Sequence, residues 1–142
     1  MDSSLRVEVK DSVLNPTSTE KKVLWREGPE NTPFYKVYLY LVGEALPYVQ
    51  AVTYRLHPTF PEPVQRVARN LANQNCLLVI WTWGIFDVTA TIEDRWGNIY
   101  EVTRPLGYGR EIEQLKQDPD VKFEREEEAP TASQQPRLKG QR

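Results

Sequence analysis

The 142-residue sequence contains a single histidine, His57, and a single cysteine, Cys76. One cysteine excludes an internal disulfide and a zinc site made of several cysteines. It lies in an apolar run, so we predict a small core side chain and not a reactive thiol. One histidine means that every Ser-His-Asp or Cys-His catalytic arrangement would need His57 as its base.

Motifs of catalysis and of phosphate binding are also missing. No serine sits in a strand-turn-helix nucleophile motif, and neither GxGxxG nor GxxxxGK[ST] occurs. We therefore predict that the protein is not an enzyme and uses no cofactor or metal. A pair of carboxylates that only the fold brings together leaves no trace in a sequence, and this enzymatic alternative stays open.

Neither sign of charge dominates, because 18 Lys and Arg face 20 Asp and Glu for a net charge of −2. Without a basic field, no direct contact with nucleic acid is expected. No apolar run approaches the ~18 residues of a membrane-spanning helix, so we expect no membrane contact. Residues 1–4 lack the start of a signal peptide. We expect a cytoplasmic protein, or a nuclear one if the source is eukaryotic.

What the sequence does have is short segments rich in Val, Ile, Tyr and Trp, the residues that suit strands. Residues 86–93 alternate strictly, with Phe86, Val88, Ala90 and Ile92 expected to face inward. Turn signals recur at a spacing typical of a β-sandwich, so we predict an all-β sandwich. The predicted strands are 5–9, 22–25, 34–42, 48–57, 76–81, 86–93 and 99–104. Residues 64–75 fit a short helix or an irregular strand.

The C-terminal part of the sequence changes in character. Residues 110–116 fit a two-turn helix that ends before Asp118-Pro119. From residue 124 onward, charged and polar residues leave almost no large apolar side chain to bury. We predict that residues 124–142 form a disordered charged tail.

Two segments place aromatic residues at turns beside strands. Residues 56–63 read Leu-His-Pro-Thr-Phe-Pro-Glu-Pro, and residues 81–86 read Trp-Thr-Trp-Gly-Ile-Phe. Loops on a rigid scaffold often carry binding residues. Gly84, next to Trp83, would permit close approach of another molecule to the backbone. The two segments therefore predict a binding site, with Trp81 and Trp96 assigned to packing and hairpin cover.

These segments carry a family resemblance. A strand ending in Leu-His-x-Ser/Thr-Phe, then Pro-x-Pro and, further on, Gly-Trp-Gly-x-Phe, is the pattern of YEATS domains. The chain is similar to it over residues 56–63 and 82–86, and the strands at 35–40 and 52–57 also resemble the family's. The similarity covers roughly residues 30 to 106 and is greatest to the bacterial branch. It favours extended chain over a helix at residues 64–75.

The resemblance implies an immunoglobulin-like sandwich of about 7–8 antiparallel strands and a pocket that reads acylated lysine. It divides the chain into N-terminal strands (1–29), a YEATS-like core (30–109), a short helix or extension (110–123) and the tail (124–142). The implied partner is a protein or peptide bearing acylated lysine. The implied ligand-binding residues are His57, Thr59, Phe60, Trp83, Gly84, Ile85 and Phe86.

In the implied roles, Thr59 bonds the acyl amide, and Phe60 and Trp83 flank the acyl group as two aromatic plates. The backbone N–H of Trp83 binds the acyl carbonyl. His57 lines the pocket, and the three residues after Trp83 shape its far end.

The sequence departs from the histone readers of the family. Thr59 replaces the commoner serine, Thr82 stands where glycine is usual, and Ile85 is bulkier than the usual residue. Structural roles are the alternative: a local backbone bond for His57, a turn cap for Thr59, and core packing for the phenylalanines. The alternative function is a structural or protein-interaction sandwich, in a bacterial signalling or conflict system, that binds no acyl-lysine.

Overall fold

The computed structural model of the chain describes residues 6–28 and 32–126. It contains a 3₁₀ turn at Leu46–Tyr48 and one α-helix, α1, at Tyr108–Leu115. Within the described residues, the strands are β1 (Glu8–Ser12), β2 (Lys22–Glu27), β3 (Pro33–Val42), β4 (Val49–Arg55), β5 (Val64–Ala68), β6 (Leu78–Thr82), β7 (Asp87–Asp94), β8 (Ile99–Pro105) and β9 (Lys122–Arg125).

The strands form two sheets. In the first, β3 pairs antiparallel with β1, β2 and β6, and β9 extends the sheet through β2. The second has the order β5-β4-β7-β8, with every pair antiparallel. The predicted all-β, immunoglobulin-like sandwich is confirmed. One pairing departs from it, because β9 runs parallel to β2.

The core lies between the two sheets and follows the alternation read from the sequence. In β7, Val88, Ala90 and Ile92 are buried, and the intervening residues are more exposed. At the centre, the fully buried Tyr54 donates its hydroxyl proton to the carbonyl of Cys76 at 2.8 Å. A core of this kind fixes both sheets, and with them the loops at each end of the sandwich.

Cys76 is buried, as predicted, and burial raises the pKa of its thiol to about 11. It does not belong to a strand, however. Its backbone has a φ of 52°, and β6 begins two residues later at Leu78. The apolar run indicated burial correctly but placed the start of the strand too early, because a buried turn and a buried strand have the same composition.

Three further boundaries differ from the predictions. The first strand starts at Glu8; Leu5, where it was predicted to begin, lies outside the described residues. Residues 64–75, where the resemblance favoured extended chain, form β5 and a turn in which Asn70 and Asn73 bond each other's backbone. The helix starts at Tyr108, two residues earlier than predicted.

The predicted disordered tail overlaps described structure at its beginning. Glu124 and Arg125 belong to β9, and the backbone N–H of Glu126 donates to the carbonyl of Trp25 at 2.7 Å. Since the backbone groups make this pairing, the charged side chains gave no signal for it. Residues 127–142, the rest of that predicted tail, lie outside the described residues.

Candidate functional site

The two motif loops lie at the same end of the sandwich. The first loop connects β4 to β5, and the second connects β6 to β7. The antiparallel register places Arg55, at the end of β4, opposite Val64 of β5 and Thr89 of β7. We call this end of the sandwich the motif end.

Three rings join the two loops across the motif end. The His57 and Phe86 rings meet edge to face with centroids 5.8 Å apart, and Phe60 meets Phe86 in the same way at 5.5 Å. Edge-to-face contact is a preferred geometry for aromatic pairs. Phe60 is only 3% exposed, so its ring is packed against Phe86 and does not stand open as a plate.

Thr59 makes two hydrogen bonds to the His57 ring. The backbone N–H of Thr59 donates to His57 Nδ1 at 3.2 Å, and Nδ1 lies 2.8 Å from Thr59 Oγ1. Since Nδ1 accepts from the backbone, it carries no proton, and the hydroxyl is the donor of the shorter bond. The imidazole proton is thereby assigned to Nε2. This local bonding of His57 is the structural role weighed above, and it also fixes the orientation of the Thr59 hydroxyl.

The second loop contains a buried donor. Trp83 is half-buried, and its indole Nε1 is shielded from solvent with no hydrogen-bond acceptor among the described residues. Such a group loses its bonds to water and gains nothing in return, which costs about 1–3 kcal/mol. Buried polar atoms are nearly always paired in folded proteins. The indole of Trp83 is therefore a position that an external acceptor would stabilise.

Gly84 and Ile85 form the open part of this loop. A Cβ added to Gly84 would meet no atom within 4 Å, so the space above its backbone is free. Ile85 is 56% exposed and leans over α1, since a Cβ on Gly109 would lie 3.3 Å from its Cδ1.

Helix α1 positions this loop. The helix itself was predicted, but its contact with the loop was not. The Tyr108 hydroxyl donates to the carbonyl of Gly84 at 2.8 Å, and burial raises the pKa of Tyr108. The helix is itself tied to β1, because Glu111 accepts from the Ser12 hydroxyl at 2.7 Å and the Val13 backbone at 2.9 Å. An amphipathic helix directly after the last core strand was the available signal.

The structure thus distributes the seven predicted site residues over one end of the sandwich. It brings His57, Thr59, Phe60 and Phe86 into direct contact through bonds and rings. Trp83, Gly84 and Ile85 follow in the adjoining loop, held by α1.

Two clefts have linings that include none of the seven. One, of about 480 Å³, is formed by β2, β3 and β9. The other, of about 260 Å³, is lined largely by charged and polar side chains between residues 15 and 38 and by Glu124 and Glu126. Sequence reasoning missed the first cleft, because its walls come from distant segments.

The described residues were also compared with the requirements of a metal site and of a membrane-spanning helix. Within 6–28 and 32–126, no group of three or more His, Cys, Asp or Glu is placed to hold a metal ion. In the same part of the chain, no helix is long and apolar enough to cross a membrane.

Comparison with protein families decides the relationship. Residues 35–107, just over half of the chain, match the family model described as prokaryotic YEATS domain. The chain belongs to the prokaryotic YEATS domain family. The predicted resemblance and its bacterial branch are confirmed. A comparison with curated proteins finds no match.

One of two similar solved structures supports the fold. The Yaf9 YEATS domain recognizing an H3K122suc peptide has a TM-score of 0.51 and 14% sequence identity, over 75% of each chain. The yeast AF-9 homolog protein Yaf9 has a TM-score of 0.48 and 14% identity, over 89% of this chain and 94% of the other. At such identity, the similarity of the first shows a shared fold.

Proposed function

We propose that this YEATS domain is a binding module that reads acylated lysine, or a related flat amide, on a protein or peptide. The supporting observation is that the two motif loops converge. His57 contacts Phe86 across them at 5.8 Å, and His57 also holds the Thr59 hydroxyl. The Yaf9 YEATS domain, whose structure is described as recognizing an H3K122suc peptide, shares the fold of this chain. The role is that of a reader and not of an enzyme.

Thr59 is suited to the amide N–H of an acylated lysine. Its hydroxyl proton is directed to His57, and a hydroxyl oxygen has two lone pairs with which to accept. The bond would satisfy an amide whose burial without a partner is costly.

Trp83 supplies the ring and the donors for the acyl group. Acylation removes the charge of lysine and leaves a flat amide on an apolar stem, which an aromatic face accommodates. The backbone N–H of Trp83 is proposed to donate to the acyl carbonyl. Its indole Nε1, buried with no acceptor in the described structure, is a second donor to an oxygen of the ligand. Unmodified lysine would place an unpaired ammonium here and be rejected.

The remaining residues shape the site. Gly84 leaves open space over its backbone, and Ile85 leans away toward Gly109 of α1. We propose that these two residues and Phe86 form the wall at the far end of the acyl group. Phe60 supports the site indirectly, because its ring is buried against Phe86. The Phe60 ring would have to move to contact the acyl group.

The test is tryptophan fluorescence titration with peptides of one sequence that carry unmodified, acetylated or crotonylated lysine. We expect saturable changes for the acylated peptides alone. Thr59→Val should weaken their binding by about five- to ten-fold, as for the loss of one hydrogen bond, and Thr59→Ser should restore it. Equal binding by Thr59→Val and Thr59→Ser would contradict the role of the hydroxyl.

The second candidate is a protein-interaction sandwich that binds no acyl-lysine. The observation in its favour is that Phe60 is 3% exposed and packs edge to face on Phe86, so part of the motif end is already filled. No response to any acylated peptide, with the protein folded, would favour this candidate.

A further inference from the structure

The cleft between β2, β3 and β9 has the size and lining of a binding site. Its volume is about 480 Å³, within the roughly 300–1,000 Å³ of small-ligand sites. Six residues from three adjacent strands line it: Trp25, Glu27, Pro33, Tyr35, Phe123 and Arg125. Three of the six are aromatic, and their rings form apolar walls.

These walls continue the inner face of the first sheet. Trp25 pairs with Tyr35 of β3 on one side and Arg125 of β9 on the other, and Phe123 pairs with the fully buried Val23. Cross-strand partners point to the same side of a sheet, as do alternate residues of one strand. The cleft is therefore the part of the core-facing surface that the second sheet leaves uncovered, and Phe123 there is 37% exposed.

The charges in the cleft neutralise each other. Arg125 donates to Glu27 at 2.7 Å, and its guanidinium carbon lies 5.9 Å from the centre of the Trp25 ring. With one cation and one anion paired, the cleft has little net charge to attract an ion. An uncharged aromatic side chain fits these walls best, since it gains ring contacts without breaking the ion pair.

The cleft adjoins the proposed acyl-lysine site through one side chain. Tyr35 lines the cleft, and its ring centre lies 6.3 Å from that of Tyr108. The Tyr108 hydroxyl bonds the carbonyl of Gly84, and Tyr35 is also the register partner of Thr82 at the end of β6. From β6 to β2 is two strand spacings, roughly 10 Å, or the length of about three residues of extended peptide.

We propose that this cleft is a flanking subsite of the same binding surface. It receives an uncharged aromatic side chain of the acylated polypeptide, about three residues from the modified lysine. The inference rests on the proposed function, because the acyl-lysine sets the position of the peptide. The subsite would make binding depend on the residues around the acylated lysine, so that the domain would discriminate among acylated lysines in different sequences.

The test is calorimetric titration of a host peptide of Ala, Gly and Ser that carries one acetyl-lysine. Tyrosine is placed in turn at each of about four positions on either side of the lysine. We expect a gain in affinity of about ten-fold at one or two positions on one side only. Phe123→Ala should remove most of that gain and leave affinity for the host peptide unchanged, and Phe123→Tyr should keep it. Trp96→Ala, at the other end of the sandwich, is the matched control.

The outcomes separate the two proposals. Binding of the host peptide with no gain at any position, or a gain that survives Phe123→Ala, overturns the subsite and leaves the reader function standing. An equal gain from lysine or arginine at the same positions would overturn the assignment to an aromatic side chain. If no acetylated peptide binds, the reader function fails, and the subsite fails with it.

Discussion

The two ends of the sandwich differ in how their buried polar atoms are hydrogen-bonded. At the end opposite the motif loops, which we call the hairpin end, Asp94 is 2% exposed and its carboxylate is fully engaged. It accepts from the backbones of Trp96 and Asn98 at 2.9 Å, from the Asn98 side chain at 3.0 Å and from the Tyr100 hydroxyl at 3.4 Å. At the motif end, the buried indole nitrogen of Trp83 has no acceptor among the described residues.

Exposed aromatic rings show the opposite trend. Tyr48 and Trp96 at the hairpin end are 44% and 64% exposed and stack with centroids 5.4 Å apart. Phe60 at the motif end is 3% exposed. Exposure alone would direct attention to the hairpin end, but single exposed apolar side chains are common on protein surfaces. Hydrogen bonding distinguishes the ends better. At the motif end, the buried Trp83 indole nitrogen has no acceptor among the described residues, whereas at the hairpin end the Asp94 carboxylate accepts hydrogen bonds from its own turn.

The largest expected effect is on binding and compares one tryptophan from each end. Trp83→Ala should weaken binding of an acetyl-lysine peptide by roughly 30-fold or more, the loss typical of a central binding residue. Trp96→Ala should leave the affinity unchanged. Calorimetric titration measures the affinity of both variants for the peptide. Similar losses of affinity in the two would contradict a binding role specific to the motif end.

The next effect is on stability and concerns the hairpin end. Burial alone would raise the pKa of Asp94, but hydrogen bonds from Asn98, Trp96 and Tyr100 hold it below its ordinary value of 3.8. A lowered folded pKa adds stability above the unfolded pKa, and that stability is lost as pH falls through the folded value. Asp94→Asn should therefore be less stable than wild type at pH 7.

Urea unfolding at several pH values measures this difference. We expect it to shrink as the pH falls from about 4, the ordinary pKa of an aspartate in the unfolded chain, through the lower pKa of Asp94 in the folded protein. A difference that stays constant across that range would show that the charge of Asp94 does not hold the turn. Binding of acylated peptide by Asp94→Asn at pH 7 should match that of wild type.

The smallest expected effect comes from the hydrogen bond by which α1 holds the loop at Gly84. Tyr108→Phe removes the hydroxyl that donates to the Gly84 carbonyl at 2.8 Å, which should cost about 1 kcal/mol of unfolding free energy. Affinity for acetyl-lysine peptide should fall a few-fold, because the loop is held less firmly. Tyr100→Phe is the control, since its bond to Asp94 is longer, at 3.4 Å. Weaker binding by Tyr100→Phe than by Tyr108→Phe would contradict this role of the helix.

Much of the fold follows from local patterns in the sequence. The alternation through Val88, Ala90 and Ile92 indicated the inner face of β7, and Gly97, with a φ of 90°, lies in the turn between the strands predicted at 86–93 and 99–104. The meeting of the two motif loops was also predictable, because the resemblance covered both. These features could be predicted because each depends on residues close together in the chain or on a motif of a known family.

What the sequence did not indicate depends on distant pairings. β9 joins the sheet by parallel backbone bonds to β2, and its four side chains are all exposed, so no periodicity marked it. That pairing brings Phe123 and Arg125 of β9 to the cleft that contains Trp25. The bond from Tyr108 to Gly84 likewise joins residues far apart in the chain.

The central claim is that the motif end binds acylated lysine, and amide shift mapping by NMR tests it most directly. A labelled protein is titrated with two peptides of one sequence, acetylated or unmodified at a single lysine. We expect saturable shifts for the acetylated peptide alone, at the backbone amides of Thr59, Trp83 and Gly84 and at the Trp83 indole N–H, with Trp96 unaffected. Equal shifts from both peptides, or shifts centred on Trp96, would contradict it.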